Sequence, residues 1–203
     1  MFIKENFKIF DVEGLDSRMA AIRESIQPVF RSIWENFCPR VSKATGLEFH
    51  IHIAQHLRRT TNPPESTWSA ISTTKRGYKN QPHFQLGIWR EYIFIYLSMI
   101  DNPKNEKEIA DTLLKNIDVI KSLPEDFIYS ADHTKKEVFS VSSENLEKDI
   151  VRFRDVKKSE FEVGRIIEKE SNMWNDTEKA KAFLWETIEE LLPLYQILAI
   201  HIE

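Results

Sequence analysis

The chain has 203 residues, 41% of them hydrophobic, and its five glycines leave no flexible Gly/Ser/Pro-rich linker. This length and composition predict one domain with a sizeable core. Cys38 is the only cysteine, which excludes an intrachain disulfide and a multi-cysteine metal site. With a formal net charge of −4 and a sequence pI near 5.9, the bulk charge does not favour generic nucleic-acid binding.

Two apolar features bear on location. Residues 1–10 alternate apolar and charged side chains, whereas a signal peptide has a continuous apolar centre. The longest apolar run, residues 92–97, is far shorter than the roughly 20 residues of a membrane span. We therefore expect a cytoplasmic protein with no membrane partner.

Hydrophobic periodicity predicts a long first helix. Apolar residues recur at steps of three and four over residues 15–37, and Asp16 or Ser17 can cap the start. Pro28 should kink or split this helix, because proline lacks an amide donor and clashes with the preceding turn. Gly46 ends the segment.

From residue 49 the apolar period changes to two, which predicts strands. The Asn62-Pro63-Pro64 run interrupts them, and Arg90-Glu91 reads as the turn of a hairpin. Residues 92–97 are apolar on both faces, as expected of a central strand. The predicted strands of this part are residues 49–54, 67–73, 83–89 and 92–100.

The second half of the chain alternates helices with short strands, after a predicted break at Asn102-Pro103. Asn175 and Glu178 have the spacing of a helix capping box, and Pro193 should bend the last helix. Since hairpin-like connections outnumber βαβ crossovers, we predict an α+β fold, a mainly antiparallel sheet packed by several helices in a single domain. The remaining predicted helices cover residues 109–120, 145–153 and 175 onward, and the strands residues 127–130, 137–141 and 161–167.

One segment departs from the acidic balance of the chain. Residues 50–90 hold six Lys/Arg, one acid and four of the six histidines, so their formal charge is +5 while the rest of the chain carries −9. A basic island in an acidic protein indicates contact with an anion. The candidate ligand-binding residues are His56, Arg58, Arg59, Lys75, Arg76, Tyr78, Lys79 and His83.

These residue types suit a phosphate-bearing ligand, either a small molecule or a nucleic-acid backbone. Arginine forks match phosphate oxygens, and Tyr78 can stack on a ring. Gly77 permits close backbone approach to a ligand. The alternative is an ordinary solvated surface, because the segment lacks the glycine spacing of a P-loop or a dinucleotide-binding turn.

Two other classes of function stay open. The first is a hydrolase or transferase that acts on phosphoesters or acyl groups. In it, His56 or His83 would be the acid/base, and Arg58 or Arg59 would hold the transition state. A protein-interaction module would instead expose a large apolar patch. Secondary catalytic candidates are Asp132 and His133.

A metal site is not expected. His50 and His52 would face the same side of a strand about 6.6 Å apart, a spacing that a metal ion can bridge. His56 would lie roughly 13 Å further along an extended strand, and no acidic ligand is close in sequence. We therefore predict no metal and no cofactor.

Several short motifs of the basic segment resemble the YktB-like family, a group of uncharacterised bacterial proteins of about this length. They read HIAQHLRR, NPP, TW, KRGYK and PHF at residues 52–59, 62–64, 67–68, 75–79 and 82–84, and residues 11–15, 132–133 and 156–158 fit as well. The resemblance implies a single α+β domain in the bacterial cytosol and no particular activity. His50 is not part of the family pattern, which further disfavours a His50–His52 metal site.

Overall fold

A seven-stranded antiparallel sheet forms the centre of the computed structural model, which describes residues 1–100 and 103–202. The strands are β1 (His50–Ile53), β2 (Ser66–Ser72), β3 (His83–Trp89), β4 (Tyr92–Met99), β5 (Ile128–Ser130), β6 (Phe139–Ser140) and β7 (Phe161–Glu168), in the order β1-β2-β3-β4-β7-β5-β6. The helices are α1 (Leu15–Ala21), α2 (Gln27–Thr45), α3 (Glu106–Lys115), α4 (Ile117–Lys121), α5 (Leu146–Asp155) and α6 (Thr177–Leu198). The predicted α+β class and the central position of β4 are confirmed.

The predicted first helix is divided, and the division is a π-helical turn that lies just before Pro28. Ile22–Ile26 forms this turn between α1 and α2, and Pro28 lies in the first turn of α2. Pro28 has no amide to donate, and the Gln27 amide before it donates to the Ile22 carbonyl five residues back, in the π-helical pattern. Gly14 precedes α1 without a side-chain cap, so the predicted cap by Asp16 or Ser17 is wrong.

The last helix begins two residues later than predicted. The Asp176 side chain accepts a hydrogen bond from the Lys179 amide at 3.0 Å and caps α6, so Asn175 is not the cap. Neither α6 nor any other helix in the two described ranges is long and apolar enough to cross a membrane. Of the predicted break at Asn102-Pro103, Asn102 lies outside the described residues.

The two faces of the sheet differ in what covers them. Alternate residues of β3 and β4, such as Phe84, Leu86 and Ile95, join the main core with helices α2 and α6. The opposite side, here called the second face, carries an aromatic cluster centred on Phe94 and Tyr96. The other members of this cluster are Trp89 and Tyr92, with Trp68, Ile128 and Ile166 packed against them.

Two strand glycines make room for the rings of the second face. Gly87 lies across from Phe94, and Gly164 lies across from Tyr96. A Cβ atom at Gly164 would overlap the Ile95 carbonyl oxygen and lie 2.8 Å from the Tyr96 ring. The stacked Phe94 and Tyr96 rings, 4.6 Å apart, therefore depend on glycine at these positions.

We predict that Gly164→Ala lowers the free energy of unfolding by roughly 2–4 kcal/mol, because backbone and a buried ring must move. Gly46→Ala is the control, since Gly46 also resists substitution, with a φ of 73°, but has open space around it. We expect a loss of about 1 kcal/mol there. Urea denaturation measures both, and an equal loss for the two variants would contradict the packing argument.

Candidate functional site

Residues 131–138, here called the strap, connect β5 to β6 and lie over the second face. At one end, the backbone amide of His133 donates to Glu160 Oε2 at 2.8 Å, and its Nδ1 lies 2.6 Å from the same oxygen. At the other end, the Tyr92 hydroxyl donates to the Lys136 carbonyl at 3.0 Å. Between these ends the His133 ring meets the Trp68 ring edge to face, with centroids 6.1 Å apart. The strap thus contacts β2 and β4 and the residue that precedes β7.

A groove of about 630 Å³ lies beside the strap. It is lined by Arg18, Arg59, Asn62, Pro63, Glu65, Ser66, Trp68, Trp89, His133 and Thr134. A smaller hollow of about 430 Å³ adjoins it and is lined mainly by the loop after β1, including His56, Leu57, Arg58 and Tyr78. Arg59 and Trp68 line both cavities, so these two side chains lie at the boundary between them.

Two guanidinium groups of the groove are bonded to carbonyl oxygens instead of carboxylates. Arg18 donates to the Val12 carbonyl at 2.9 Å and to the Pro64 carbonyl at 3.0 Å. Arg59 donates to the Asn62 carbonyl at 3.4 Å. Within residues 1–100 and 103–202, no carboxylate forms an ion pair with either guanidinium. Their positive charge is therefore available to a ligand.

A neighbouring cavity of about 500 Å³ shows the opposite arrangement. Three of the four cations that line it are paired, Arg90 with Asp11, Lys135 with Asp132 and Lys136 with Glu91. The fourth, Arg18, also lines the groove. Among the described residues, Glu65 is the single acid that lines the groove, and it lines the neighbouring cavity as well. Among the described Lys and Arg side chains that line these two cavities, those without an ion pair are Arg18 and Arg59, and both line the groove.

Two imidazoles contact the Trp68 ring and have pKa values shifted in opposite directions. Burial lowers the pKa of His56 to about 4, with a smaller effect from the Arg59 charge. Burial would also lower the pKa of His133, but the hydrogen bond and charge of Glu160 raise it overall. His56 Nε2 lies 3.0 Å from the Thr67 hydroxyl. His56 is therefore neutral over most of the pH range, while His133 retains its proton to higher pH than a free histidine.

The second face also contains buried polar groups. His83, Ser98 and Glu162 are cross-strand neighbours and all three are buried. Burial lowers the pKa of His83 to about 4, although its Nδ1 lies 2.8 Å from the Gln81 carbonyl. Burial raises the pKa of Glu162 to about 7, although the Ser98 hydroxyl donates to it at 2.6 Å.

The structure brings part of the predicted ligand set together. His56, Arg58, Arg59 and Tyr78 surround the smaller hollow. The Lys79 ammonium lies 5.7 Å from the Trp68 ring centroid, and His83 is buried against the Tyr78 ring. The two remaining candidates, Lys75 and Arg76, are exposed in the loop after β2 and line neither cavity.

Two charged residues of the site were not identified from the sequence. Arg18 lies on α1 and Glu160 just before β7. Nothing local in the sequence distinguishes Arg18 from other helix cations, because only helix packing brings it to the groove. Glu160 is equally inconspicuous until the strap places His133 against it.

A metal ion is a further chemical possibility for the strap. Asp132, His133 and Glu160 each offer a ligand atom, and these atoms lie within 4.8 Å of one another. The protein already uses the same atoms, however. Glu160 accepts from His133, and Asp132 Oδ1 accepts from the Thr134 hydroxyl at 2.6 Å. These hydrogen bonds explain the cluster without an ion.

Comparison with known proteins shows the family. Residues 2–195 match the model described as "Domain of unknown function (DUF1054)". A UPF0637 protein of Enterococcus faecalis is 53% identical over 197 residues, 97% of each chain. One from Lactococcus lactis subsp. cremoris is 53% identical over 97% of this chain and 98% of its own. One from Oceanobacillus iheyensis is 43% identical over 97% and 95%. The chain belongs to this bacterial family, which confirms the resemblance inferred from its motifs.

The buried carboxyl of Glu162 predicts a loss of stability with rising pH. The folded protein holds this proton up to about pH 7, while the unfolded chain releases it near 4.5. The native state therefore binds more protons between these values, and its free energy of unfolding falls as pH rises through them. Glu162→Gln should remove on the order of 2–3 kcal/mol of that fall.

Urea unfolding at pH 5 and pH 8 measures this effect in the wild type and in Glu162→Gln. The exposed Glu186→Gln serves as the control and should keep the wild-type pH dependence. Identical pH dependence in all three proteins would rule out Glu162 as the source.

Proposed function

We propose that this protein binds a phosphate-bearing small molecule with an aromatic ring, such as a nucleotide, in the groove beside the strap. Arg18 and Arg59 would hold the phosphate, and Trp68 would pack against the ring. The observation that carries the proposal is the pair of guanidinium groups that line one groove with carbonyl partners only. Planar guanidinium forks match phosphate oxygens in both charge and geometry.

Trp68 supports the ring-binding part of the proposal. Its indole nitrogen donates to the Tyr78 hydroxyl at 2.8 Å, and the ring is half-buried, so its orientation is fixed while part of it stays accessible. An aromatic ring with a fixed orientation favours stacking of a ligand ring, because the side chain loses little conformational freedom on binding. The groove volume also lies within the range of ordinary small-molecule sites.

A small ligand is favoured over a long nucleic acid. Extended nucleic-acid surfaces need a broad basic face, since each phosphate contact requires a nearby cation. The chain carries a net charge of −4, and three of the four cations that line the cavity next to the groove are ion-paired. A cytoplasmic location agrees with this proposal, because the single cysteine is buried and unpaired, as suits a reducing compartment.

We predict that Arg59→Ala weakens binding of adenosine 5′-monophosphate by about 10- to 100-fold, the loss expected for a charge-assisted hydrogen bond. Isothermal titration calorimetry measures the affinity. Arg31→Ala is the matched control, because Arg31 is exposed on α2 outside the groove, and it should bind as the wild type does. Equal affinity in Arg59→Ala and the wild type, or no binding by the wild type, would contradict the proposal.

Trp68→Leu should separate ring recognition from phosphate recognition. We expect its affinity for adenosine 5′-monophosphate to fall about 5- to 100-fold, because base–aromatic stacking contributes roughly 1–3 kcal/mol. Its affinity for ribose 5-phosphate, which lacks the base, should stay within about twofold of the wild type. A parallel loss for both compounds would show that Trp68 acts through the shape of the groove and not through stacking.

A further inference from the structure

His133 has the surroundings of an acid/base residue. Its Nδ1 lies 2.7 Å and 2.6 Å from the two oxygens of Glu160, which fixes the ring and its tautomer. Among the described residues, no protein group hydrogen-bonds its Nε2. The residue also lines the groove that contains Arg59. An imidazole held by a carboxylate on one nitrogen and open on the other is the arrangement of catalytic histidines.

We infer that His133 is the general acid for cleavage of phosphate monoesters in the groove, with Glu160 as its positioning residue. This inference rests on the proposed function, because the groove must first bind the phosphate. Arg59 and Arg18 would stabilise the charge of the phosphoryl oxygens during transfer.

The step balances with water as the co-reactant. The oxygen of water forms a bond to phosphorus as the bond between phosphorus and the alcohol oxygen breaks. The Nε2 proton of His133 passes to the departing oxygen, and the attacking water gives one proton to a phosphoryl oxygen. Inorganic phosphate then releases a proton to solvent, from which the imidazole is reprotonated. No oxidation or reduction occurs.

The other imidazoles of the region are less suited to this role. His56 is bonded to Thr67, and His83 is fully buried against Tyr78. The charge on His133 is set by surrounding groups on three elements. Glu160 and Glu162, at β7, raise its pKa, and Lys79, in the loop after β2, lowers it. The Asp132 carboxylate of the strap lies within 4.8 Å of its ring. Glu160 dominates because it makes the direct hydrogen bond.

The experiment compares two esters that differ in their need for a proton. Phenolate requires protonation as it leaves, whereas p-nitrophenolate leaves readily without it. With EDTA present, His133→Asn should lose about 100-fold or more in kcat on phenyl phosphate, and less than about tenfold on p-nitrophenyl phosphate. Partial misfolding would reduce both rates equally, so the ratio within one variant isolates proton donation. Arg31→Ala should leave both rates unchanged.

Glu160→Gln tests the positioning role by a pH profile. The wild-type rate on phenyl phosphate should fall as pH rises and His133 loses its proton. Without the carboxylate, the pKa of His133 drops, and this fall should occur at lower pH. A rate lowered equally at every pH, with an unmoved midpoint, would show a merely structural contact and overturn the assignment of Glu160.

The results distinguish this inference from the proposed function. If the wild type binds adenosine 5′-monophosphate through Arg59 but cleaves neither ester faster than His133→Asn, general-acid catalysis is overturned and the binding proposal stands. If the wild type does not bind the nucleotide, both are overturned. An activity lost in EDTA and restored by a divalent cation would assign Asp132, His133 and Glu160 to a metal and overturn the general-acid role.

Discussion

The contact between His133 and Glu160 anchors the loop that forms one side of the groove. The strap that carries His133 forms one side of the groove, and Glu160 anchors that strap with hydrogen bonds to both the backbone and the ring. The opposite side depends on Arg18, which reaches the loop before β2 and donates to the Pro64 carbonyl. The strap and the loop before β2 have no regular secondary structure, and these hydrogen bonds hold them at a fixed separation on the two sides of the groove.

The second face of the sheet combines rings with buried ionisable groups, and this combination is costly for a structural surface. An aromatic cluster alone would pack more stably, since a buried carboxyl such as Glu162 loses hydration that its hydrogen bonds only partly replace. Retaining Glu162 on the second face agrees with a role in setting the local charge, whereas His83, with a pKa of about 4, stays neutral at physiological pH. The pKa of Glu162 near 7 means that this charge varies in the physiological range.

The order and type of most elements were predictable, because burial of one sheet face imposes a period of two and packing of one helix face a period near 3.6. The differences lie at element ends. Gly14 and not Asp16 precedes α1, and Asp176 and not Asn175 caps α6. At each end several polar residues offered a cap, and the backbone geometry that selects one of them is set by packing against neighbouring elements.

By itself, the sequence determined the α+β class, the central strand β4 and the basic segment that includes Arg59, because these follow from periodicity and composition along a continuous stretch. Only the tertiary structure decided which residues distant in the sequence are in contact. Arg18 is more than 40 positions away from Pro64, and His133 is 27 away from Glu160. Their contacts arise because the strands between them pair in one register and the loops fold back over the sheet. A side chain gains its function here from neighbours in space, and no local pattern specifies those neighbours.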